Sequence, residues 1–146
     1  MKSDDPRIER IVQSCMLLHV RRASRVVTQV YETALADSNL HPMQFLLLVA
    51  ITRAGPTPVS TLADRLQLDR TTLTRNLTAL VDSELVTVSV DSDDRRSRIV
   101  TIAPRGRSAI EKSYESWEGA QRKVTKHLGA DIQPLIAALN QLSALK

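Results

Sequence analysis

The spacing of apolar residues along the chain predicts a mostly helical protein that contains one short β-hairpin. Apolar side chains recur at helical spacing over residues 8–37, 42–54, 104–127 and 131–144, which is the pattern of amphipathic helices. Alternating apolar and polar residues over 86–102 predict two antiparallel strands joined at a charged tip. The expected fold class is therefore mainly α with a small β-wing (α+β).

Between the second helix and the hairpin, the sequence predicts a helix–turn–helix. Ser60 can cap a short helix, and a tight turn follows at 67–69. Asp69 is a suitable N-cap for the next helix, which carries its leucines on one face. Because the hairpin follows directly, this order is typical of a winged helix-turn-helix DNA-binding domain, which we place at 39–103.

The first predicted helix carries apolar residues over about half of its circumference, which is wider than the stripe needed against one neighbour. These positions are Cys15, Met16, His19, Val20, Ala23, Val26, Val27, Val30, Tyr31 and Ala34. The C-terminal helices are also more apolar than one small domain requires. We therefore expect residues 1–38 and 104–146 to form a helical dimerisation region, in which the N- and C-terminal helices of a two-fold homodimer intertwine.

The helix that begins near Arg70 carries long donors and short hydroxyls opposite its leucines. Arginine binds guanine in a bidentate manner, and the threonine methyl group contacts thymine. A recognition helix enters the major groove by its N-terminal end. The residues predicted to contact DNA from this helix are therefore Arg70, Thr71, Thr74 and Arg75. An ordinary solvated helix face is the alternative interpretation.

The predicted hairpin tip holds three arginines beside three acids. The net charge of the whole chain is only +4, but residues 95–107 contain five arginines and no acid. Arg96 and Arg98 compete for insertion into the minor groove, where negative potential is concentrated. Asp94 can hold the side chain of Arg96, whereas Arg95 faces the DNA backbone or solvent. A charged turn that serves only solubility is the alternative.

The segment 91–106 resembles the wing of the MarR family of winged helix–turn–helix regulators, with its Asp-x-x-Asp-Arg-Arg pattern followed by an alternating strand. Residues 68–77 are similar to the recognition helix of one branch of that family, and 41–45 are similar to the entry to its second helix. The sequence departs from the family pattern at Ala103, and at 83–85 it lacks a glycine that is common there.

The resemblance implies a homodimer that binds a pseudo-palindromic operator in double-stranded DNA, usually as a repressor. Carried over by position, the wing aspartate of the family is Asp94 and its minor-groove arginine is Arg96. Arg95 and Arg98 are then the expected phosphate contacts. Many family members release DNA when a small phenolic or aromatic-carboxylate ligand binds between the dimerisation helices and the DNA-binding core.

Cys15, His19 and Arg22 lie one helical turn apart near the edge of the apolar arc. The histidine and arginine can pair with a carboxylate in a partly dry pocket, so the three residues form a candidate effector site. An interface histidine and a salt-bridged arginine fit the same pattern. Cys15 also fits the peroxide-sensing cysteine of some relatives, but the tyrosines common around that cysteine are missing, and a buried structural thiol is the alternative.

Other function classes receive little support from the sequence. No nucleophile–base pair, phosphate loop or paired carboxylates stand out, so we expect neither an enzyme nor a cofactor. The three histidines and one cysteine form no tight ligand cluster, so no metal site is expected. A polar N-terminus and the lack of a long apolar run predict a cytoplasmic protein without membrane contact. A winged helix used for protein–protein assembly is the remaining competitor.

Overall fold

The computed structural model describes residues 5–129 and 131–145, which divide into two compact units. One unit contains the chain up to Thr33 and from Ala120 onward, and the other contains Ala34–Gly119. The elements are α1 (Pro6–Ser14), α2 (Met16–Leu35), a 3₁₀ turn (Ala36–Ser38), α3 (Pro42–Ala54), β1 (Thr57–Pro58), α4 (Val59–Leu66), α5 (Arg70–Asp82), β2 (Val86–Val90), β3 (Arg98–Ile102), α6 (Pro104–Leu128) and α7 (Gln133–Ser143). Residues 1–4, 130 and 146 of the predicted dimerisation region lie outside the described residues.

The long first helix predicted at 8–37 is instead two helices that are separated at Cys15. This residue has an extended backbone, with φ −72° and ψ 106°. At the break, the carbonyl of Gln13 accepts a hydrogen bond of 3.1 Å from the ring Nε2–H of His19. The prediction of one continuous helix was wrong, because neither proline nor glycine marks the break in the sequence.

The core of the second unit lies where α3, α4 and α5 meet the sheet. Its buried apolar residues are Leu35, Leu40, Phe45, Leu47, Leu48, Ile51, Leu62, Leu73, Leu77, Leu80, Val86, Val100 and Ile102. Ala109, Ile110 and Trp117 of α6 pack against this core. The first part of α6 therefore belongs to the same compact unit as the segment 39–103.

The predicted hairpin is present as β2 and β3, within a three-stranded antiparallel sheet of order β1-β3-β2. Val86 pairs with Ile102 at the base of the hairpin, and Val90 pairs with Arg98 near its tip. The third strand, β1, was not predicted, because a two-residue strand that contains a proline has no periodicity.

The start of α4 differs from the prediction that Ser60 caps it. The strand β1 runs directly into the helix, which begins at Val59. Pro58 precedes it with an extended backbone and makes no side-chain cap. Ser60 therefore lies exposed inside the first turn, and its prediction as a cap was wrong because the pairing of β1 sets the start of the helix.

Both ends of α5 are held by specific hydrogen bonds. The carboxylate of Asp69 accepts from the hydroxyl of Thr72 at 2.6 Å and from its backbone N–H at 2.8 Å. The hydroxyl bond, and then the backbone bond, lower the pKa of Asp69 because they stabilise the charged carboxylate. At the other end, Glu84 is left-handed with φ 57°, and the N–H of Leu85 donates to the carbonyl of Leu80 at 2.9 Å, as in a Schellman motif.

The first turn of α6 lies against the backbone of Leu85. The N–H of Ala103 donates to the carbonyl of Leu85 at 3.0 Å, and Gly106 is buried beside it. A Cβ at Gly106 would overlap this carbonyl oxygen and would lie 2.5 Å from Cδ1 of Ile102. A residue without a side chain is therefore required, because part of the obstacle is backbone that cannot rotate away.

No single helix in the described part of the chain is long and apolar enough to span a membrane. The bent pair Met16–Ser38 and Pro42–Ala54 meets that requirement by length and composition only.

Gly106→Ala is expected to destabilise the protein, although alanine is the better helix former. The helix preference favours alanine by about 1 kcal/mol, whereas overpacking against immobile atoms costs about 1–3 kcal/mol and more where backbone must move. Urea unfolding measures the difference. Ser108→Ala, two residues along α6, is the control and should change the unfolding free energy by less than about 0.5 kcal/mol. A Gly106→Ala variant as stable as the original would show that α6 can move away from Leu85.

Asp69→Ala is expected to lower the urea midpoint, and the loss should depend on pH. Since the folded protein lowers the pKa of Asp69, its stabilisation is complete above the ordinary carboxyl pKa and is lost as the pH falls through the lowered value. The difference from the original protein should therefore be largest at neutral pH and shrink in acid. Asp69→Asn, which caps without titrating, should keep most of the stability. A pH-independent loss for Asp69→Ala would contradict the role of the carboxylate.

Candidate nucleic-acid interface

The helix α5 has one buried and one exposed face. The buried residues are Leu73, Asn76, Leu77 and Leu80. The exposed residues on the other face are Arg70, Thr71, Thr74, Arg75 and Thr78. The four residues predicted to contact DNA from this helix are therefore all accessible.

The turn before α5 holds the N-terminus of the helix in place. Gln67 adopts the left-handed conformation with φ 50°, and the N–H of Leu68 donates to the carbonyl of Ala63 at 3.0 Å. The cap on Asp69 then starts α5 with Arg70 in its first turn. The free amides of a helix N-terminus carry partial positive charge, so this end of α5 suits a phosphate or base edge.

The wing tip is a closed turn held by two aspartates. The carboxylate of Asp91 accepts from the N–H of Asp93 at 3.0 Å, and that of Asp94 accepts from the N–H of Arg96 at 2.9 Å. Below them, the N–H of Asp91 donates to the carbonyl of Ser97, and the N–H of Ser97 donates to the carbonyl of Asp94. Aspartates favour such turns because their side chains bond to backbone two residues ahead.

The carboxylate of Asp94 holds the backbone of Arg96 and not its guanidinium. Among the described residues, no ion pair joins Asp94 to an arginine, whereas a brace of the Arg96 side chain was predicted. The side chains of Arg95, Arg96 and Arg98 are exposed. The hydrogen bonds of the wing tip therefore fix the backbone positions of the arginines. Their charged guanidinium groups remain available to an external anion.

The helix α5 and the wing share an open cleft of 680 Å³. Five residues that were predicted separately in the two elements line it together: Arg70, Thr74, Asp94, Arg96 and Arg98. Asp64, on α4, adds a second acid to the lining. Three arginines against two carboxylates leave a net positive cleft, which attracts a polyanion.

The other three predicted contacts lie outside this cleft. Thr71 and Arg75 are exposed on α5, and Arg95 is exposed at the wing tip. These three residues are next in sequence to residues that line the cleft, but they do not line it themselves.

A second, more apolar cleft of 340 Å³ lies between α5 and β2. Its lining residues are Val59, Thr74, Leu77, Thr78, Val81, Val88 and Arg98. This cleft was not predicted from the sequence, although the sequence contains a signal for it. Val86, Val88 and Val90 share one face of β2, but only Val86 is buried, so the apolar face extends beyond the core.

A third cavity, of 390 Å³, lies beside the first turns of α6 and combines cationic and hydroxyl groups. Its lining residues are Asp37, Ser38, Leu85, Arg105, Ser108, Ala109, Lys112, Ser113 and Ser116. Arg105 also pairs with the carboxylate of Glu84 at 2.7 Å. This cavity was likewise not predicted, because its cations come from an ordinary helix face.

The candidate effector residues of the first predicted helix lie near the break between α1 and α2. Cys15 is half-buried, and His19 and Arg22 are exposed. The ring of His19 is bonded to the backbone of Gln13. These three residues line none of the three cavities described above.

In the ranges 5–129 and 131–145, no group of three histidine, cysteine, aspartate or glutamate side chains is arranged to hold a metal ion.

Comparisons with known proteins point to one family. The sequence model of the MarR family matches residues 40–97. The M. tuberculosis transcriptional regulator MosR, whose structure was solved in complex with DNA, is 35% identical, and the alignment covers 89% of this chain and 96% of MosR with a TM-score of 0.78. The organic hydroperoxide resistance transcriptional regulator of Bacillus subtilis is 28% identical over 141 residues, which is 97% of this chain and 92% of that relative.

A third set of relatives matches a shorter part. HTH-type transcriptional regulators of Staphylococcus aureus are 28% identical over 87 residues, and the match spans 60% of this chain and 60% of their own length. The family match covers α3, α4, α5 and the wing tip, and the likeness to MosR extends over most of the chain. The chain therefore belongs to the MarR family.

Proposed function

We propose that this chain is a sequence-specific, double-stranded DNA-binding transcriptional regulator that has no enzymatic activity and acts in the cytoplasm. The observation that carries the proposal is the cleft in which Arg70, Arg96 and Arg98 converge from two elements. Clustered arginines on an exposed helix N-terminus and an adjacent hairpin suit the phosphates and grooves of a duplex.

The relatives support the same function. MosR, at 35% identity, was solved with DNA bound, and the B. subtilis relative that aligns with nearly the whole chain is a transcriptional regulator.

The geometry suggests a division of work between the helix and the wing. The N-terminal half of α5, with Arg70, Thr71, Thr74 and Arg75, enters the major groove and reads bases. The wing places Arg96 in the adjacent minor groove, where a narrow groove concentrates negative potential. Arg95 and Arg98 then contact phosphates, and Asp94 keeps the turn in shape.

The DNA-binding form is a homodimer. Large apolar side chains are exposed along α1, α2 and α7, with Leu17 exposed by 69%. The full set on these helices is Ile11, Val12, Met16, Leu17, Val20, Val26, Val27, Leu135, Ile136, Leu139 and Leu142, and the exposed Leu145 follows α7. Apolar surface of this extent marks a protein interface. A two-fold dimer would present two α5 helices to half-sites about one DNA turn apart, at 10–10.5 base pairs.

Arg96→Ala is expected to weaken binding to a selected operator at least tenfold, a loss of about 1.4 kcal/mol or more. The physical reason is the loss of a guanidinium that meets concentrated negative potential in the groove. Gel-shift titration measures the affinity, and sedimentation velocity checks that the variant remains a dimer.

Arg95→Ala should behave differently from Arg96→Ala. Removing one phosphate contact weakens binding to all sequences alike and reduces the slope of log K against log salt by about 0.9. Arg53→Ala, which removes an exposed arginine at the end of α3, is the control and should leave affinity unchanged. Unchanged binding for Arg96→Ala would refute the wing assignment, and a chain that selects no DNA would favour the protein–protein assembly module instead.

The regulator acts as a repressor that releases DNA when a phenolic or aromatic-carboxylate ligand binds. Two sites are candidates. The cavity beside α6 combines the exposed Lys112 with serine hydroxyls, which suits a carboxylate, although Asp37 also lines it and its Arg105 is paired with Glu84. Cys15, His19 and Arg22 are the alternative, but in the chain alone the histidine and arginine are exposed, and a second subunit would have to close the site.

A peroxide-sensing repressor is the second candidate function. Cys15 is the one cysteine of the chain, and it is half-buried at the break between two helices. The relative from B. subtilis is an organic hydroperoxide resistance regulator. Oxidation of a thiol to a polar sulfenic acid at this break would change the packing of α1.

Titration of the operator complex with benzoate or 4-hydroxybenzoate is expected to release DNA. Lys112→Ala should raise the ligand concentration needed at least tenfold, because it removes a cation from the α6 cavity, and Arg22→Ala should not. The opposite result for the two variants would assign the ligand to the α2 residues.

Treatment of the same operator complex with an organic hydroperoxide tests the peroxide-sensing alternative. Release that disappears in Cys15→Ser would establish peroxide sensing in place of ligand release. Release by peroxide that persists in Cys15→Ser would exclude the thiol as the sensor.

A further inference from the structure

Two exposed threonines of α5 use their hydroxyl hydrogens inside the helix. Thr74 Oγ1 donates to the carbonyl of Arg70 at 2.8 Å, and Thr78 Oγ1 donates to the carbonyl of Thr74 at 2.9 Å. A threonine hydroxyl has one hydrogen to donate. Neither side chain therefore has a donor left for a base, although both are exposed.

The outward surface of these side chains then consists of a methyl group and oxygen lone pairs. In the major groove, guanine presents only the acceptors N7 and O6, whereas thymine presents a C5-methyl group beside one acceptor. A side chain without a free donor forms no hydrogen bond with guanine there, but its methyl group packs against that of thymine. Thr71, by contrast, makes no side-chain hydrogen bond within the described residues, so its hydroxyl can donate to DNA.

We propose that Thr74 and Thr78 select thymine in the operator through methyl–methyl contact, and that their hydroxyls donate no hydrogen bond to the bases. This inference rests on the proposed function and specifies which chemical group α5 reads. The neighbouring Arg70 and Arg75 supply the donors for guanine or phosphate, so the face divides into donor positions and methyl positions.

The rotamer that exposes the methyl group of Thr74 is held by the hydrogen bond from its hydroxyl to the helix backbone. Threonine in a helix divides between two χ1 states because its hydroxyl can bond to the carbonyl one turn earlier. Turning the hydroxyl of Thr74 outward would break the bond to Arg70 and return that donor to water. Valine has the same shape without the hydroxyl and lets the methyl contact be tested alone.

The test begins with an operator selected from random DNA by the full-length chain. Each thymine of that operator is then replaced by uracil, which lacks only the C5-methyl group. For the original protein, uracil at the contacted thymine should weaken binding about fourfold, which corresponds to the burial of one methyl group. A uracil scan without a loss at any thymine would overturn the proposal.

Variants at Thr74 connect the base methyl to the protein methyl. Thr74→Val keeps the methyl group and lacks the hydroxyl, so it should keep the uracil penalty at the contacted thymine. Thr74→Ser keeps the hydroxyl and loses the methyl, so it should bind the thymine operator about fourfold more weakly and show no further penalty with uracil. The same pair of variants at Thr78 should act at a different thymine.

Thr33→Ser is the matched control. Thr33 lies on α2, is exposed, and donates the same kind of hydrogen bond, to the carbonyl of Gln29 at 2.9 Å. This variant should keep both the affinity and the uracil penalty. Thermal unfolding of each variant checks that the fold is intact.

The opposite pattern at Thr74 would overturn the inference. If Thr74→Val loses affinity while Thr74→Ser retains it, the hydroxyl donates to a base and the methyl does not select thymine. A chain that selects no operator at all would refute the proposed function itself, and the two failures are therefore distinguishable.

Discussion

The backbone of Leu85 is the point at which the parts of the candidate interface are fixed to one another. Leu85 follows the end of α5 and has its own N–H bonded to Leu80 of that helix, while its carbonyl accepts from Ala103 after β3. Gly106 brings the first turn of α6 into contact with the same oxygen. The helix α5, both strands of the wing and α6 thus meet at one residue, Leu85, so the spacing between α5 and the wing is set by backbone bonds and not by mobile side chains.

The guanidinium groups of the candidate interface, in contrast to its backbone, are not held by bonds within the part of the chain that the structure describes. Backbone bonds from Asp91 and Asp94 shape the wing tip, but the arginines that rise from it are exposed and have no carboxylate partner among the described residues. An arginine already paired within the protein would have to break that pair before it could bind a phosphate. Guanidinium groups that are exposed avoid this loss, and a wing backbone that is already ordered limits the main-chain entropy lost in the proposed binding to DNA.

Periodicity and charge in the sequence predicted the hairpin, the amphipathic α5 with its Asp69 cap, and the arginine-rich tip, because each of these depends on residues that are close in sequence. The break at Cys15 and the strand β1 were missed, since the first has no proline or glycine and the second depends on pairing with the distant β3. The cleft that Arg70 and Arg96 line together was not predicted, because it depends on how α5 and the wing pack in the folded chain. The sequence also does not show that the carboxylate of Asp94 accepts a hydrogen bond from the backbone N–H of Arg96 and not from its guanidinium.

The break at Cys15 has a consequence for how the N-terminal segment folds. With nine residues, α1 is shorter than the 12–15 residues at which an isolated helix becomes marginally stable in water. Its apolar residues Ile11 and Val12 are largely exposed in the single chain. A helix of this length is not stable by itself, so this segment is expected to unwind and exchange its amide hydrogens before the 20-residue α2 does. In the proposed homodimer, subunit association and the ordering of α1 would then be one coupled event.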